Sequence, residues 1–173
     1  MRKPLKINIF LACSLSLVDE RTKLELSLHG EEAKVFCGDN VSITLIKSDN
    51  KSKTMAVNGS QYEIDEIIRQ CQIFIILYHT SIGRHTLHEF EVAFQKFTAT
   101  GSIPKIFPCY KREPVDLRNV DHAALAELEQ FRQNMRIKHY EEDYENIADL
   151  KFKVIQEILR YIRKIELANK KSK

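Results

Sequence analysis

The feature that most constrains the fold is a short run of apolar residues, Ile73 to Leu77, that contains no charge. Such a run is typical of a strand buried on both faces of a parallel sheet. A polar loop follows, in which Gly83 gives the backbone freedom to turn. The next segment predicts a helix, because large apolar side chains recur on one face at helical spacing: Leu87, Phe90, Phe94 and Phe97.

This order of strand, loop and helix places the loop at the carboxyl end of a central strand. Open α/β sheets bind their ligands at that edge. Two acidic residues, Glu89 and Glu91, lie near the start of the predicted helix. If the protein is an enzyme, we expect its active site at this edge of the sheet.

The rest of the chain alternates in the same way between strand-like and helix-like segments. Strands are predicted near residues 7–12, 41–46, 73–77, 104–109 and 136–140, and helices include 60–70, 123–134 and 144–168. This alternation predicts an α/β fold. We expect a flavodoxin-like three-layer sandwich with a five-stranded parallel sheet of order 2-1-3-4-5.

The length of 173 residues fits one domain. We assign residues 1–168 to one α/β domain, and residues 169–173 to a basic tail or the start of a linker. The net charge of +3 is small and scattered, so it gives no argument for a nucleic-acid partner. No segment approaches the roughly 20 apolar residues of a membrane span, so we expect no membrane contact.

The four cysteines show no C-x-x-C pair and no metal-type spacing with histidine. We therefore interpret them as reduced thiols of a cytoplasmic protein: Cys13, Cys37, Cys71 and Cys109. The apolar run near the amino end is broken by Lys6 and Asn8, which argues against a signal peptide.

Several common catalytic motifs are absent from the sequence. It contains neither of the glycine-rich phosphate-binding patterns, G-x-x-x-x-G-K-[ST] and G-x-G-x-x-G, and no G-x-S-x-G elbow. His85 and His88 have helical spacing, but no third ligand accompanies them, so we expect no metal site.

Two interpretations of Glu89 are open at this point. Residues Thr86 to Glu89 match the S/T-x-x-E capping box, in which the glutamate only caps its own helix. Alternatively, Glu89 lies in the first turn, nearest the carboxyl edge of the strand, where it can act on a ligand. Glu91 lies as far from the apolar stripe on its other flank, so helical periodicity does not choose between the two glutamates.

An apolar strand, a polar loop and then [ST]-x-x-E-F-E-x-A-F resembles bacterial Toll/interleukin-1 receptor (TIR) domains, and most closely a prokaryotic TIR-like group of defence proteins. The resemblance covers nearly the whole chain, from about Lys6 to Ile165. It rests on the order of these pieces: Ile9 to Ser14, Glu20-Arg21, Gln61, Glu63, Ile68 to Cys71, Ile73-Phe74, Gly83 to Phe94 and Asp149 to Lys151.

The resemblance implies an enzyme that cleaves the nicotinamide–ribose bond of NAD⁺ in bacterial antiphage defence. In catalytic TIR domains an E-x-x-x-A glutamate at the start of this helix is essential, and Glu89 to Ala93 matches that pattern. It also implies that the nucleotide site is lined by the loop after the first strand and the loop before the helix, with substrate-binding candidates Ala12, Cys13, Ser14, Tyr78 and Arg84. NAD⁺ is then the substrate, and no resident cofactor is expected.

A lone carboxylate suits this reaction. Cleavage passes through an oxocarbenium-like state and expels neutral nicotinamide from a cationic substrate. The leaving group needs no general acid, unlike glycoside hydrolysis with its two carboxylates. One carboxylate that binds the ribose hydroxyls and stabilises positive charge can therefore suffice.

The connection Lys47 to Gly59 departs from the family. Lys47-Ser48 stands where an aromatic residue is expected, and Gly59 stands where a basic one is expected. In TIR domains this connection often contacts a neighbouring subunit, so the resemblance implies self-association, and a sensor domain or partner in a longer protein. Two alternatives stay open: a non-catalytic TIR-type interaction module, and an enzyme similar to nucleoside deoxyribosyltransferases.

Overall fold

The structure is a computed structural model, and it describes residues 4–29, 35–38, 40–48, 59–138 and 141–171. Five strands form one parallel sheet in the order β2-β1-β3-β4-β5. They are β1 (Leu5–Cys13), β2 (Val41–Ile46), β3 (Ile73–Tyr78), β4 (Lys105–Lys111) and β5 (Glu142–Tyr144). The predicted α/β class, the parallel sheet and its order are confirmed.

Five longer helices are seen in the described parts of the chain. They are α1 (Val18–His29), α2 (Gly59–Gln70), α3 (Arg84–Thr100), α4 (His122–Lys138) and α5 (Ile147–Lys171). None of these described helices combines the length and the hydropathy needed to cross a membrane.

The central strand β3 is buried along its whole length, as its uncharged apolar run predicts. Successive side chains of β1 and β3 point to opposite faces of the sheet, and each face has its own apolar core. On one face Ile9 and Ile75 pack with α1 and α5. On the other face Phe10 and Phe74 stack with ring centroids 5.6 Å apart, in the core that α2, α3 and α4 cover.

The predicted fifth strand at residues 136–140 is wrong. Residues 136–138 continue α4, residues 139 and 140 lie outside the described part, and the strand is Glu142–Tyr144. Helix α4 extends to Lys138 because Leu128, Phe131 and Met135 keep one helical face in the core. The strand itself carries two acidic residues and one buried side chain, Tyr144, which suits a short edge strand.

Two other boundaries also differ from the sequence predictions. Helix α5 begins at Ile147 instead of Tyr144, and it continues through Lys171, so residues 169–171 are helical.

The connection between β2 and α2 falls mostly outside the described residues, where the structure does not test the contact role suggested for residues 47–59. Lys47 is described, and its ammonium lies 2.7 Å from the Glu25 carboxylate.

The strand order creates one switch point. The chain leaves β1 towards α1 on one face, whereas it leaves the neighbouring strand β3 towards α3 on the other face. The two connections diverge at the carboxyl ends of β1 and β3, where this topology predicts a crevice. Ligands of open α/β sheets bind in such crevices.

Candidate active site

The loops after β1 and β3 are tied to each other at the switch point. The Ser14 N–H donates to the Leu77 carbonyl at 2.9 Å. Its hydroxyl donates to the Ser81 carbonyl at 2.7 Å, and the side chain is buried. These bonds satisfy backbone groups that would otherwise need water, so they fix the two loops relative to each other.

The first turn of α3 is attached to the same place. Gly83 is the N-cap residue with an extended backbone, and the Leu87 N–H donates to its carbonyl at 2.9 Å. The buried Thr86 hydroxyl donates to the Cys13 carbonyl at 3.0 Å. The start of α3 is therefore docked on the end of β1.

Glu89 is the buried acidic residue of α3. Its side chain is 3% exposed. Helix α3 begins at Arg84, so Glu89 is in the second turn, not the first, and Thr86 lies inside the helix. The capping-box interpretation is wrong, because Gly83 is the cap residue and Thr86 bonds to β1.

The structure also separates the two glutamates that periodicity left equivalent. Glu91 is exposed, whereas Glu89 is buried. The two positions differ by about 200° around the helix, so they cannot serve one site. Packing of α3 against the sheet and against α2 decides which of them is inside.

The other predicted site residues are spread over different environments. Ala12 and Ser14 are buried and Cys13 is half-buried, so little of their side chains is open to a ligand. Arg84 is exposed at the first position of α3. The Tyr78 side chain is fully buried on the α4 side of the sheet, where its hydroxyl donates to the Glu141 carboxylate at 2.5 Å.

Tyr78 belongs to a cluster that the sequence did not reveal, because its members come from four separate segments. Glu141 accepts hydrogen bonds from two nitrogens of the Arg132 guanidinium, the shortest at 2.7 Å. The Arg132 guanidinium carbon lies 3.5 Å from the centre of the Tyr110 ring, which is a cation–π contact. Burial raises the pKa of the Tyr78 hydroxyl well above its ordinary value, and the Glu141 carboxylate raises it further.

A second cluster of polar side chains lies at the carboxyl edge of the sheet, on the face that α1 and α5 cover. The Lys111 ammonium contacts the Glu20 carboxylate at 2.7 Å and the Glu113 carboxylate at 2.5 Å. Burial opposes the charge of Lys111, but its hydrogen bonds to Glu113 and Glu20 raise its pKa above the ordinary value. The Tyr144 hydroxyl is buried and has no hydrogen-bond partner among the described residues.

The histidines of the loop and helix take separate partners. The His79 Nε2 lies 3.2 Å from the Glu113 carbonyl, and the His88 Nε2 lies 3.0 Å from the Asp65 carboxylate of α2. Within the described ranges, no three histidine, cysteine or acidic side chains are grouped as metal ligands would be.

No protein-family model matches the chain, and no curated protein matches it. Eighteen chains of solved structures do match. One of them is described as the "Crystal structure of the RPS4 and RRS1 TIR domain heterodimer". It is 6% identical, the alignment covers 90% of this chain and 96% of that chain, and the TM-score is 0.49. At this level of similarity the match adds nothing to the sheet topology described above.

Proposed function

We propose that the protein is an NAD⁺ glycohydrolase in which Glu89 is the catalytic carboxylate. The single observation that carries this proposal is the position of Glu89, which is 3% exposed in the helix that begins at the switch-point crevice. A carboxylate held in a site of low dielectric stabilises a nearby cation more strongly than one in water.

The reaction needs little else from the protein. The bond between the ribose C1′ and the nicotinamide nitrogen breaks, and its electron pair neutralises the pyridinium. The positive charge that develops on the ribose is stabilised by the Glu89 carboxylate, which also accepts hydrogen bonds from the ribose hydroxyls. Water then adds to C1′ and releases a proton, giving ADP-ribose, or a nitrogen of the adenine adds to it, giving cyclic ADP-ribose.

The surrounding residues suit binding of the nucleotide. The exposed guanidinium of Arg84, at the amino end of α3, favours the diphosphate together with the helix dipole. In this proposal the backbone of Ala12, Cys13 and Ser14 lines the crevice, and Ser14 is held there by its hydrogen bonds to Leu77 and Ser81. Tyr78 contributes by holding the end of β3, since its hydroxyl is taken by Glu141. NAD⁺ is the substrate, and no cofactor is required.

The resemblance to TIR domains supports two further parts of the proposal. The protein acts in bacterial antiphage defence or signalling, and its activity depends on self-association through contacts between TIR-like domains. A sensor domain or partner in a longer protein supplies the signal. Activity per molecule is then expected to rise with protein concentration, in parallel with the assembled fraction.

The test is a product assay on the purified protein at high concentration. With NAD⁺, we expect nicotinamide together with ADP-ribose or cyclic ADP-ribose, separated by chromatography. A nucleoside deoxyribosyltransferase would instead exchange bases between a deoxynucleoside and a free purine or pyrimidine. A protein that assembles but yields neither set of products is an interaction module, and that result would reject the proposed activity.

A further inference from the structure

A pocket opens between α3 and α4, on a different side of α3 from Glu89. We call it the α3–α4 pocket, and its volume is about 190 Å³. It is lined by Leu87, Phe90, Glu91, Phe94, Phe131, Asn134 and Met135. The proposed reaction uses none of these side chains.

The size of the pocket suits one aromatic ring. Apolar cavities of about 150 Å³ bind benzene, whereas sites for whole small molecules usually measure about 300–1,000 Å³. Its walls are well packed, because the Phe90 and Phe131 rings contact each other edge to face, with their centroids 5.0 Å apart. Phe90 also stacks on Phe94 at 5.8 Å.

A carboxylate at the rim of the pocket favours an occupant that carries a positive charge. Glu91 is exposed there, next to the apolar walls. An occupant that places a cation beside its aromatic ring would pair with this carboxylate. The pocket therefore fits an aromatic side chain with a neighbouring lysine or arginine.

The chain itself presents such a side chain on α5. Phe152 is 63% exposed, and Lys151 precedes it. The helix beneath is firmly packed through Leu150, Val154 and Ile158, so the ring projects from a rigid support. The other strongly exposed aromatic side chains described, Phe36 and Tyr62, are less exposed than Phe152.

We propose that Phe152 of one copy enters the α3–α4 pocket of a second copy, with Lys151 beside Glu91. Helix α5 covers one face of the sheet, whereas α3 and α4 cover the other. A molecule cannot fill its own pocket, and the two contacting surfaces differ. Such a heterologous contact adds further copies in a ring or a filament, and it does not close as a twofold dimer.

The contact bears on the candidate active site through α3. Phe90, which lines the pocket, and Glu89, the proposed catalytic residue, are consecutive residues of this helix. A ring seated in the pocket restrains the helix that carries Glu89. This link to activity rests on the proposed function, whereas the contact itself does not.

The first test measures the mass of the assembled protein by sedimentation and light scattering over a wide range of concentrations. Wild type is expected to exceed a dimer, and Phe152→Ala to weaken assembly by about 10-fold or more. Leu167→Ala is the matched control, because Leu167 is 59% exposed on the same helix. Wild type that stays monomeric, or Phe152→Ala that assembles like wild type, would overturn the proposal.

The second test exchanges the two charges. Glu91→Lys is expected to weaken assembly, and adding Lys151→Glu in the same chain is expected to restore it, because opposite charges again face each other. Circular dichroism checks that each variant is folded. A double variant that assembles no better than Glu91→Lys would contradict the pairing.

Neither readout involves NAD⁺, so the two proposals can fail separately. A protein that assembles through Phe152 but releases no nicotinamide keeps this contact and rejects the proposed activity. A protein that cleaves NAD⁺ while Phe152→Ala assembles normally keeps the activity and rejects this contact.

Discussion

Two glutamates, Glu89 and Glu141, are both nearly removed from solvent, and their settings differ. The Glu141 side chain is 4% exposed and is bound by the Arg132 guanidinium and the Tyr78 hydroxyl. Glu89 is 3% exposed in α3, the helix whose first turn is docked on the end of β1. A buried carboxylate bound by a matched cation stabilises the fold, which is the setting of Glu141. Glu89 lies instead in the helix that begins at the carboxyl edge of the sheet, where open α/β folds bind their ligands.

A substitution that breaks the ion pair of Glu141 is expected to cause the largest loss of stability. Arg132→Met removes the cation and leaves a buried carboxylate uncompensated, which costs about 3–5 kcal/mol. We expect a value near the lower end, because the Arg132 side chain keeps 11% exposure. Urea unfolding followed by circular dichroism measures it. A loss below about 1 kcal/mol would place this ion pair with ordinary surface pairs and would weaken the comparison.

Tyr78→Phe is expected to have a smaller effect in the same region. It removes one hydrogen bond to a charged acceptor and leaves the Arg132–Glu141 pair in place, which costs about 1.5–3 kcal/mol. The unfolding free energy of the variant measures the effect. If Tyr78→Phe costs as much as Arg132→Met, the hydroxyl and not the guanidinium is the main partner of Glu141.

Tyr144→Phe is expected to have the smallest effect, and it is the matched control for Tyr78→Phe. Both tyrosines are fully buried at the end of a strand, but the Tyr144 hydroxyl has no hydrogen-bond partner in the described part of the chain. Removing a buried group without a partner is nearly neutral or stabilising, by up to about 1 kcal/mol. A clear loss of stability would show that the hydroxyl is bonded in solution.

Much of the fold could be predicted because each inner strand is a short apolar run between helical patterns. The uncharged run of β3 led directly to the central position of that strand. The fifth strand could not be placed in this way. An edge strand pairs on one side only, so Glu142 and Asp143 lie in a strand that shows no apolar pattern.

The candidate site was predicted only in part. The position of Glu89 near the carboxyl edge follows from the order of strand, loop and helix. Its burial relative to Glu91 does not, because it depends on how α3 packs against the sheet and α2. The contact between Tyr78 and Glu141 joins residues 63 apart in sequence, and nothing in the local sequence of either residue indicates it.

The most direct measurement compares Glu89→Gln with Glu141→Gln, the same substitution at the two buried glutamates. Melting temperature, unfolding free energy and nicotinamide release from NAD⁺ are measured for both variants at a concentration where wild type assembles. Glu89→Gln keeps the shape and hydrogen-bonding capacity of the side chain but removes its charge. We expect turnover per folded molecule to fall by about 100-fold or more, far beyond what any loss of folded protein explains.

Glu141→Gln is expected to show the reverse, a loss of stability because Arg132 keeps its charge without a carboxylate. Its turnover per folded molecule should stay within a few-fold of wild type, since Glu141 is bound by Arg132 and Tyr78 on the α4 side of the sheet. Equal losses of turnover in the two variants, each in proportion to its loss of stability, would contradict the assignment of Glu89 as the catalytic carboxylate.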